Sequence, residues 1–85
     1  MIDTGGKKIV KEVKVELNTV DKVKAFCQES WKIDGDIDIK SDRHIVDAKS
    51  IMGIFSLDLT KPLTLVVADD NTDISSLKEF FVEEN

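Results

Sequence analysis

The sequence predicts an α+β domain built as an α/β open-faced sandwich, with a four-stranded antiparallel sheet and helices packed on one of its faces. Two kinds of pattern carry this prediction: stretches in which apolar and polar residues alternate, and stretches with the three-and-four spacing of amphipathic helices. They follow each other in the order β-α-β-β-α-β-α. Because two of the strands are contiguous and predict a hairpin, a mixed or antiparallel sheet is favoured over a parallel one. The face of the sheet that carries no helix is expected to be wet.

The first strand and the first helix have the clearest patterns. The strand is predicted over residues 9–17, and the residues of its buried face are Val13, Val15 and Leu17. Asn18 and Thr19 then offer helix caps, and Asp21 adds negative charge to the first turn. The apolar stripe of the helix consists of Val20, Val23, Phe26, Cys27 and Trp31. Gly35 is expected to end this helix.

A hairpin and a short helix are predicted next. Residues 36–40 alternate, residues 41–43 form a polar turn, and residues 44–48 supply the partner strand. The short helix is predicted over about residues 50–57, with Ser50 placed to cap it.

The last part of the chain predicts one more strand and one more helix. Pro62 precedes a fourth strand over residues 63–68, which is rich in Leu and Val. A polar turn leads to the last helix, whose stripe is Ile74, Leu77, Phe80 and Phe81. Residues 1–8, which include a Gly-Gly pair, carry no periodic pattern and are expected to be a disordered lead-in to a single domain over residues 9–85.

Composition narrows the classes of function. The chain has 85 residues, a mass of 9.5 kDa, a net charge of −5 and a pI of about 4.7. A chain of this size builds one core and leaves no room for a large cofactor cradle. Its acidity argues against nucleic acid and anionic membrane partners. The single cysteine and the lack of a signal or membrane-spanning pattern are typical of a cytoplasmic protein.

Two groups of Asp and Asn side chains resemble the start of a calcium-binding loop. They are Asp34, Asp36 and Asp38, and Asp69, Asn71 and Asp73. An EF-hand loop needs Gly at its sixth position and Glu at its twelfth, but the first group has Ile39 and Ile45 there and the second has Ile74 and Phe80. We therefore predict no metal site and no cofactor, and we interpret the first group as strand residues and the second as turn and cap residues.

Nucleophilic catalysis is not predicted either. Cys27 lies on the apolar stripe of the first helix, where a cysteine is usually a small buried hydrophobe. His44, the only histidine, begins a strand beside a turn and has no evident partner to position it as a general base. The protein is not expected to be an enzyme.

Residues 46–57 form the most distinctive segment. A helix this short cannot bury all of its apolar residues, Ile51, Met52, Ile54, Phe55 and Leu57. Ile54 and Leu57 are assigned to the core and the other three to the surface, where a small apolar patch usually marks a protein contact. The alternative is that all five are core residues. Ser50 likewise has two interpretations: a plain N-cap, or a phosphorylation site at the positive end of a helix dipole.

The same segment, with Asp-Ala-Lys-Ser-Ile-Met-Gly at its centre, resembles the region around the regulatory serine of HPr. HPr is the histidine-containing phosphocarrier family of the bacterial phosphoenolpyruvate:sugar phosphotransferase system. The resemblance covers nearly all of residues 9–84 and implies the HPr-like fold. It aligns Ser50 with the serine that a dedicated kinase phosphorylates. The residues that it aligns with the partner-binding surface are Lys49, Ile51, Met52 and Phe55.

The phosphocarrier site of the family does not carry over. By ungapped spacing, Thr19 occupies the phosphohistidine position, Asp21 the arginine position and Lys22 the proline position. An imidazole forms a reversible, high-energy phosphoramidate, whereas a threonine ester would be stable and a poor donor. Asp21 would repel an incoming phosphoryl group. The chain is thus similar to a divergent family member that lacks carrier chemistry.

These observations lead to three hypotheses. The first is an HPr-like regulatory or protein-binding module that acts in sugar transport and catabolite regulation. Its partners would be proteins of the phosphotransferase system or its regulators, such as HPr kinase or a transcription regulator. The second is a working phosphocarrier that uses another acceptor, for which His44 is the only apt candidate. The third is a drifted structural domain in which Ser50 only caps a helix.

Overall fold

A computed structural model describes residues 11–69 and 71–82, and the statements below concern these residues. The elements in chain order are β1 (Lys11–Val15), α1 (Val20–Trp31), β2 (Ile37–Ser41), β3 (His44–Asp47), α2 (Ile51–Phe55), β4 (Leu63–Val67) and a 3₁₀ helix (Ser75–Phe80). The predicted lead-in over residues 1–8 and the predicted start of the first strand lie outside the described residues. Within the described part of the chain, no helix is both long enough and apolar enough to cross a membrane.

The four strands form one antiparallel sheet in the order β1-β4-β2-β3. Leu65 of β4 lies opposite Val13 of β1 on one side and Ile39 of β2 on the other. The predicted hairpin is confirmed, since β2 and β3 pair directly through a two-residue loop. In that loop Asp42 has a φ of 53°, a left-handed conformation that Asp adopts more readily than most residues. The α+β class and the four-stranded antiparallel sheet are therefore as predicted.

One hydrophobic core joins one face of the sheet to the helices. Val23, Phe26 and Cys27 of α1 belong to it together with residues of the sheet, of α2 and of the 3₁₀ helix. The rings of Phe26 and Phe80 meet edge to face, with centroids 5.3 Å apart and planes at 79°. This arrangement is compatible with the predicted open-faced sandwich.

The residues of β4 on the other face of the sheet are less exposed to solvent than predicted. Thr64 and Val66 of β4 point away from the core but are only 7% and 5% exposed. Long side chains from the flanking strands cover them: Lys14 Nζ donates to Thr64 Oγ1 at 3.1 Å, and Lys40 Nζ lies 3.3 Å from Glu12 Oε2. The expectation of a wet face is wrong for β4, because a central strand lies within reach of the aliphatic stems of both neighbours.

The first helix differs from its prediction in where it ends and in the burial of two residues of its stripe. It stops at Trp31, before Gly35, and Lys32 serves as its C-cap. Val20 and Trp31, assigned to the buried stripe, are 56% and 58% exposed. At roughly 100° per residue, both lie at the edge of the buried arc, and Ser30 rather than either of them lies near its middle.

Gly35 has a different role from the predicted one. Its φ is +140°, and a Cβ on it would lie 2.7 Å from Thr72 Oγ1. The connection from α1 to β2 therefore needs glycine here, both for its backbone conformation and for a close approach to the loop after β4.

The last helix is a 3₁₀ helix rather than an α-helix. Its Leu77 and Phe80 are buried as predicted, but Phe81 lies beyond it and forms an isolated bridge with Val15. Val82 N donates to Lys14 O at 2.9 Å. The chain is therefore extended immediately after the 3₁₀ helix and pairs with the edge of β1.

Candidate functional site

Ser50 caps α2, as predicted. Its backbone is extended (φ −101°, ψ 106°), and its Oγ accepts a hydrogen bond of 3.1 Å from Gly53 N. Ser50 O accepts from Ile54 N at 3.0 Å, and Ser50 N donates to Asp47 O at 2.9 Å. The hydroxyl is thus held at the first turn of the helix, on a residue that is partly exposed.

The residues around Ser50 leave little space inside this turn. Asp47 Oδ1 accepts from Lys49 N at 2.9 Å, which fixes the backbone just before the cap. A Cβ on Gly53 would lie 3.1 Å from both Ser50 Oγ and Val46 Cβ. Gly53 therefore allows the helix to pass close to the serine and to β3.

The apolar residues of α2 divide between core and surface. Ile54 and Leu57 are buried, as predicted, whereas Met52 is 76% exposed and Phe55 38% exposed. The alternative that all five are core residues is therefore wrong. Ile51 was assigned to the surface but is half-buried and packs against the core. A five-residue helix has room for few fully inward positions, and Ile51 lies at the margin.

Trp31 joins this region, although the sequence analysis assigned it to the core. Its Nε1 donates to Lys49 O at 2.8 Å, and Lys49 Nζ donates to Ile33 O at 2.8 Å. Lys49 is thus engaged at the C-terminal end of α1, where a cation is favourably placed. Two signals could have found this contact: the position of Trp31 at the edge of the helical arc, and the need of an indole N–H for an acceptor.

Thr19 serves as the N-cap of α1. Its Oγ1 accepts from Lys22 N at 3.1 Å, and Asp21 lies exposed in the first turn. Lys22 Nζ is 3.8 Å from Glu16 Oε1. Thr19 lies at the opposite end of α1 from Trp31, roughly 18 Å along the helix axis.

The two candidate nucleophiles of the chain differ in exposure. His44 is exposed at the start of β3, opposite Ser41. Cys27 is fully buried, as predicted, with its Sγ 4.0 Å from Ala48 O. Burial raises the pKa of the Cys27 thiol, since it disfavours the thiolate. A buried, protonated thiol is a poor nucleophile.

In the second group Asp69 and Asp73 have turn roles, as predicted, but the predicted cap role is wrong, because the N-cap position of the 3₁₀ helix is Ile74 and no side chain caps it. Asp69 Oδ1 accepts from Asn71 N at 2.9 Å, and Asp73 Oδ1 accepts from Ser75 N at 2.9 Å. The hydrogen bonds from Ser75 lower the pKa of Asp73. In the first group Asp38 lies on β2, as predicted, but the strand interpretation is wrong for Asp34 and Asp36, which lie in the connection before β2 starts at Ile37.

Comparison with protein-family models, with curated proteins and with solved structures finds no match to this chain.

Proposed function

We propose that this chain is an HPr-like regulatory or protein-binding module of the bacterial phosphotransferase system, cytoplasmic and without carrier or enzymatic activity of its own. Its docking surface comprises the exposed Met52 and Phe55, with the half-buried Ile51 at the margin, and phosphorylation of Ser50 switches it. The observation that carries the proposal is the position of the Ser50 hydroxyl at the start of a helix whose next residues include exposed apolar side chains.

Exposure of apolar groups supports the docking role. Met52 and Phe55 have large apolar side chains, and the folded chain leaves much of both in water. Contiguous exposed apolar groups on a small domain usually mark a protein contact, and Met adapts to differently shaped partners.

The chemistry of Ser50 supports the switch. A phosphoserine carries a charge of about −1.5 to −2 at pH 7, so it would place a strongly hydrated group beside the docking surface. A partner that needs an apolar contact would lose affinity, and one that offers Arg or Lys would gain it. The serine is partly exposed and lies at a helix terminus, so modification requires no rearrangement of the core.

The position of Thr19 supports the absence of carrier chemistry. Its hydroxyl is engaged as a helix cap, and Asp21 places a negative charge two residues further on. A carrier needs an acceptor that releases its phosphoryl group easily, and an alkyl hydroxyl does not provide one.

The direct test is incubation of the protein with a purified HPr kinase and ATP, followed by mapping of the phosphate. We expect one phosphate, on Ser50, which Ser50→Ala abolishes and Ser76→Ala leaves in place; Ser76 is the matched control because it is an exposed serine near a helix start. Lack of modification at Ser50 would remove the switch and leave only a docking surface.

A binding comparison separates the docking role from a purely structural one. Purified phosphotransferase-system regulators are tested against the wild type, Ser50→Asp and Met52→Asp, with Ile45→Asp as control because Ile45 is exposed on β3. We expect the first two variants to change binding and the control to retain it. Identical binding by all four proteins favours the drifted structural domain.

Phosphotransfer is tested with labelled phosphoenolpyruvate and Enzyme I. We expect no label on the protein. Acid-labile label that disappears in His44→Ala would replace this proposal with the carrier hypothesis.

A further inference from the structure

Two hydrogen bonds tie the C-terminal end of α1 to the residue before Ser50. The indole N–H of Trp31 donates to Lys49 O at 2.8 Å, and the ammonium of Lys49 donates to Ile33 O at 2.8 Å. The main chain and the side chain of Lys49 thus both contact the same end of one helix. We call this pair of hydrogen bonds the clasp.

Hydrogen bonds connect Lys49 to the N-cap of α2. Lys49 N donates to Asp47 Oδ1, and Ser50 N donates to Asp47 O, both at 2.9 Å. The Ser50 hydroxyl then accepts from Gly53 N. A shift of Lys49 would therefore disturb the hydrogen bonds that orient Ser50.

The clasp also accounts for an exposed tryptophan. Trp31 is 58% exposed, yet its indole is held by a short hydrogen bond instead of lying loosely on the surface. Val20, at the other end of the same helix, is 56% exposed, but its side chain has no polar atom and cannot form such a hydrogen bond.

We propose that Trp31 and Lys49 are positioning residues for Ser50. The clasp holds the segment around Ser50 in one conformation, so that this segment is already ordered when a modifying enzyme or a partner binds it. An ordered segment binds with a smaller loss of conformational entropy than a mobile one. The existence of the clasp does not depend on the proposed function. The effect of the clasp on phosphorylation does rest on the proposed function.

Amide hydrogen exchange of Gly53 and Ile54 measures whether the clasp orders Ser50, because both amides donate to Ser50. In Trp31→Phe and in Lys49→Met we expect both amides to exchange about fivefold faster, since each variant removes one hydrogen bond. Exchange is measured relative to Leu65 in the central strand, which reports loss of the whole fold.

Matched controls separate the clasp from a general loss of stability. Val20→Ala trims another exposed apolar residue of α1, and Lys32→Met removes an exposed lysine that pairs only with Glu29 among the described residues. Both should leave Gly53 and Ile54 unchanged relative to Leu65. Equal exchange in the clasp variants and the controls would overturn the proposal.

A kinetic measurement tests the positioning role. With an HPr kinase and ATP, we expect kcat/KM for Ser50 to fall about fivefold in both clasp variants, in parallel with exchange, and to stay at the wild-type value in the controls. Faster exchange with an unchanged kcat/KM would refute positioning. If the wild type is not phosphorylated at all, the proposed phosphorylation switch fails, and the exchange result still decides whether the clasp orders Ser50.

Discussion

The ammonium group of Lys40 lies 3.3 Å from the carboxylate of Glu12, across the central strand of the sheet. The two residues belong to β2 and β1, and β4 runs between them. Val66, whose backbone pairs with Glu12, is only 5% exposed although it points away from the core. The ion pair and the aliphatic stems that carry it therefore help to close a sheet face that has no helix in the described part of the chain.

This ion pair should contribute little to stability. Both side chains are more than a third exposed, so a double-mutant cycle with Glu12→Gln and Lys40→Met should give a coupling of about 0.2–1 kcal/mol. The coupling is measured by urea unfolding at low salt and again at about 1 M salt, where screening should reduce it. A larger coupling that resists salt would contradict this view of a solvated pair.

The cap of α2 should be measurable in the same assay. Ser50→Ala removes the acceptor for Gly53 N and should lower the free energy of unfolding by about 1 kcal/mol. Ser50→Asp keeps an acceptor oxygen at the N-cap and should stay within about 0.5 kcal/mol of the wild type. Equal destabilisation by both substitutions would show that the hydroxyl does not act through the cap, and would disqualify Ser50→Asp as a folded mimic of the phosphorylated protein.

Gly35 should be sensitive to the smallest substitution. Gly35→Ala forces a φ of +140° on a residue with a Cβ and places that Cβ 2.7 Å from Thr72 Oγ1, so we expect a loss of about 1–3 kcal/mol. Thermal or urea unfolding measures it. In a Thr72→Ala background the steric part disappears, so the loss should be smaller there. If the loss is the same in both backgrounds, backbone strain alone accounts for it.

Cys27 should be inert in the folded protein. Its side chain is fully buried, so alkylation by iodoacetamide should follow unfolding and speed up with urea. Rapid labelling of the native protein would show that the helix opens locally at this site.

The raised pKa of Cys27 also predicts the sign of a pH effect. The folded protein holds the thiol proton more tightly than the unfolded chain, so this contribution to stability is fully present below the pKa of the thiol in the unfolded chain and is lost as pH rises through the folded pKa. Unfolding curves between about pH 7 and pH 10 should therefore fall more steeply for the wild type than for Cys27→Ala. Parallel curves would contradict the burial effect.

Local patterns were sufficient to predict much of the fold and part of the site. The alternation around Val15 and Ile39 identified the buried faces of β1 and β2, and the bounds of β2, β3 and β4 differ from the predicted ones by at most one residue at each end. The caps Thr19 and Ser50 are local too, because each side chain bonds to an amide three residues away. The segment with an exposed Met52 was also evident, since a short helix cannot bury every apolar residue.

The sequence by itself determined the order of the elements, the caps Thr19 and Ser50 and most of the inward-facing residues, because these depend on neighbours within a few residues along the chain. Only the tertiary structure decided which two strands lie inside the sheet, and hence that Thr64 of β4 is buried on the face expected to be wet. It also decided the contact between Trp31 and Lys49, which are 18 residues apart. The physical reason is the same in both cases: burial and hydrogen bonding at these positions depend on groups that only long-range chain closure brings together, and no local periodicity encodes that closure.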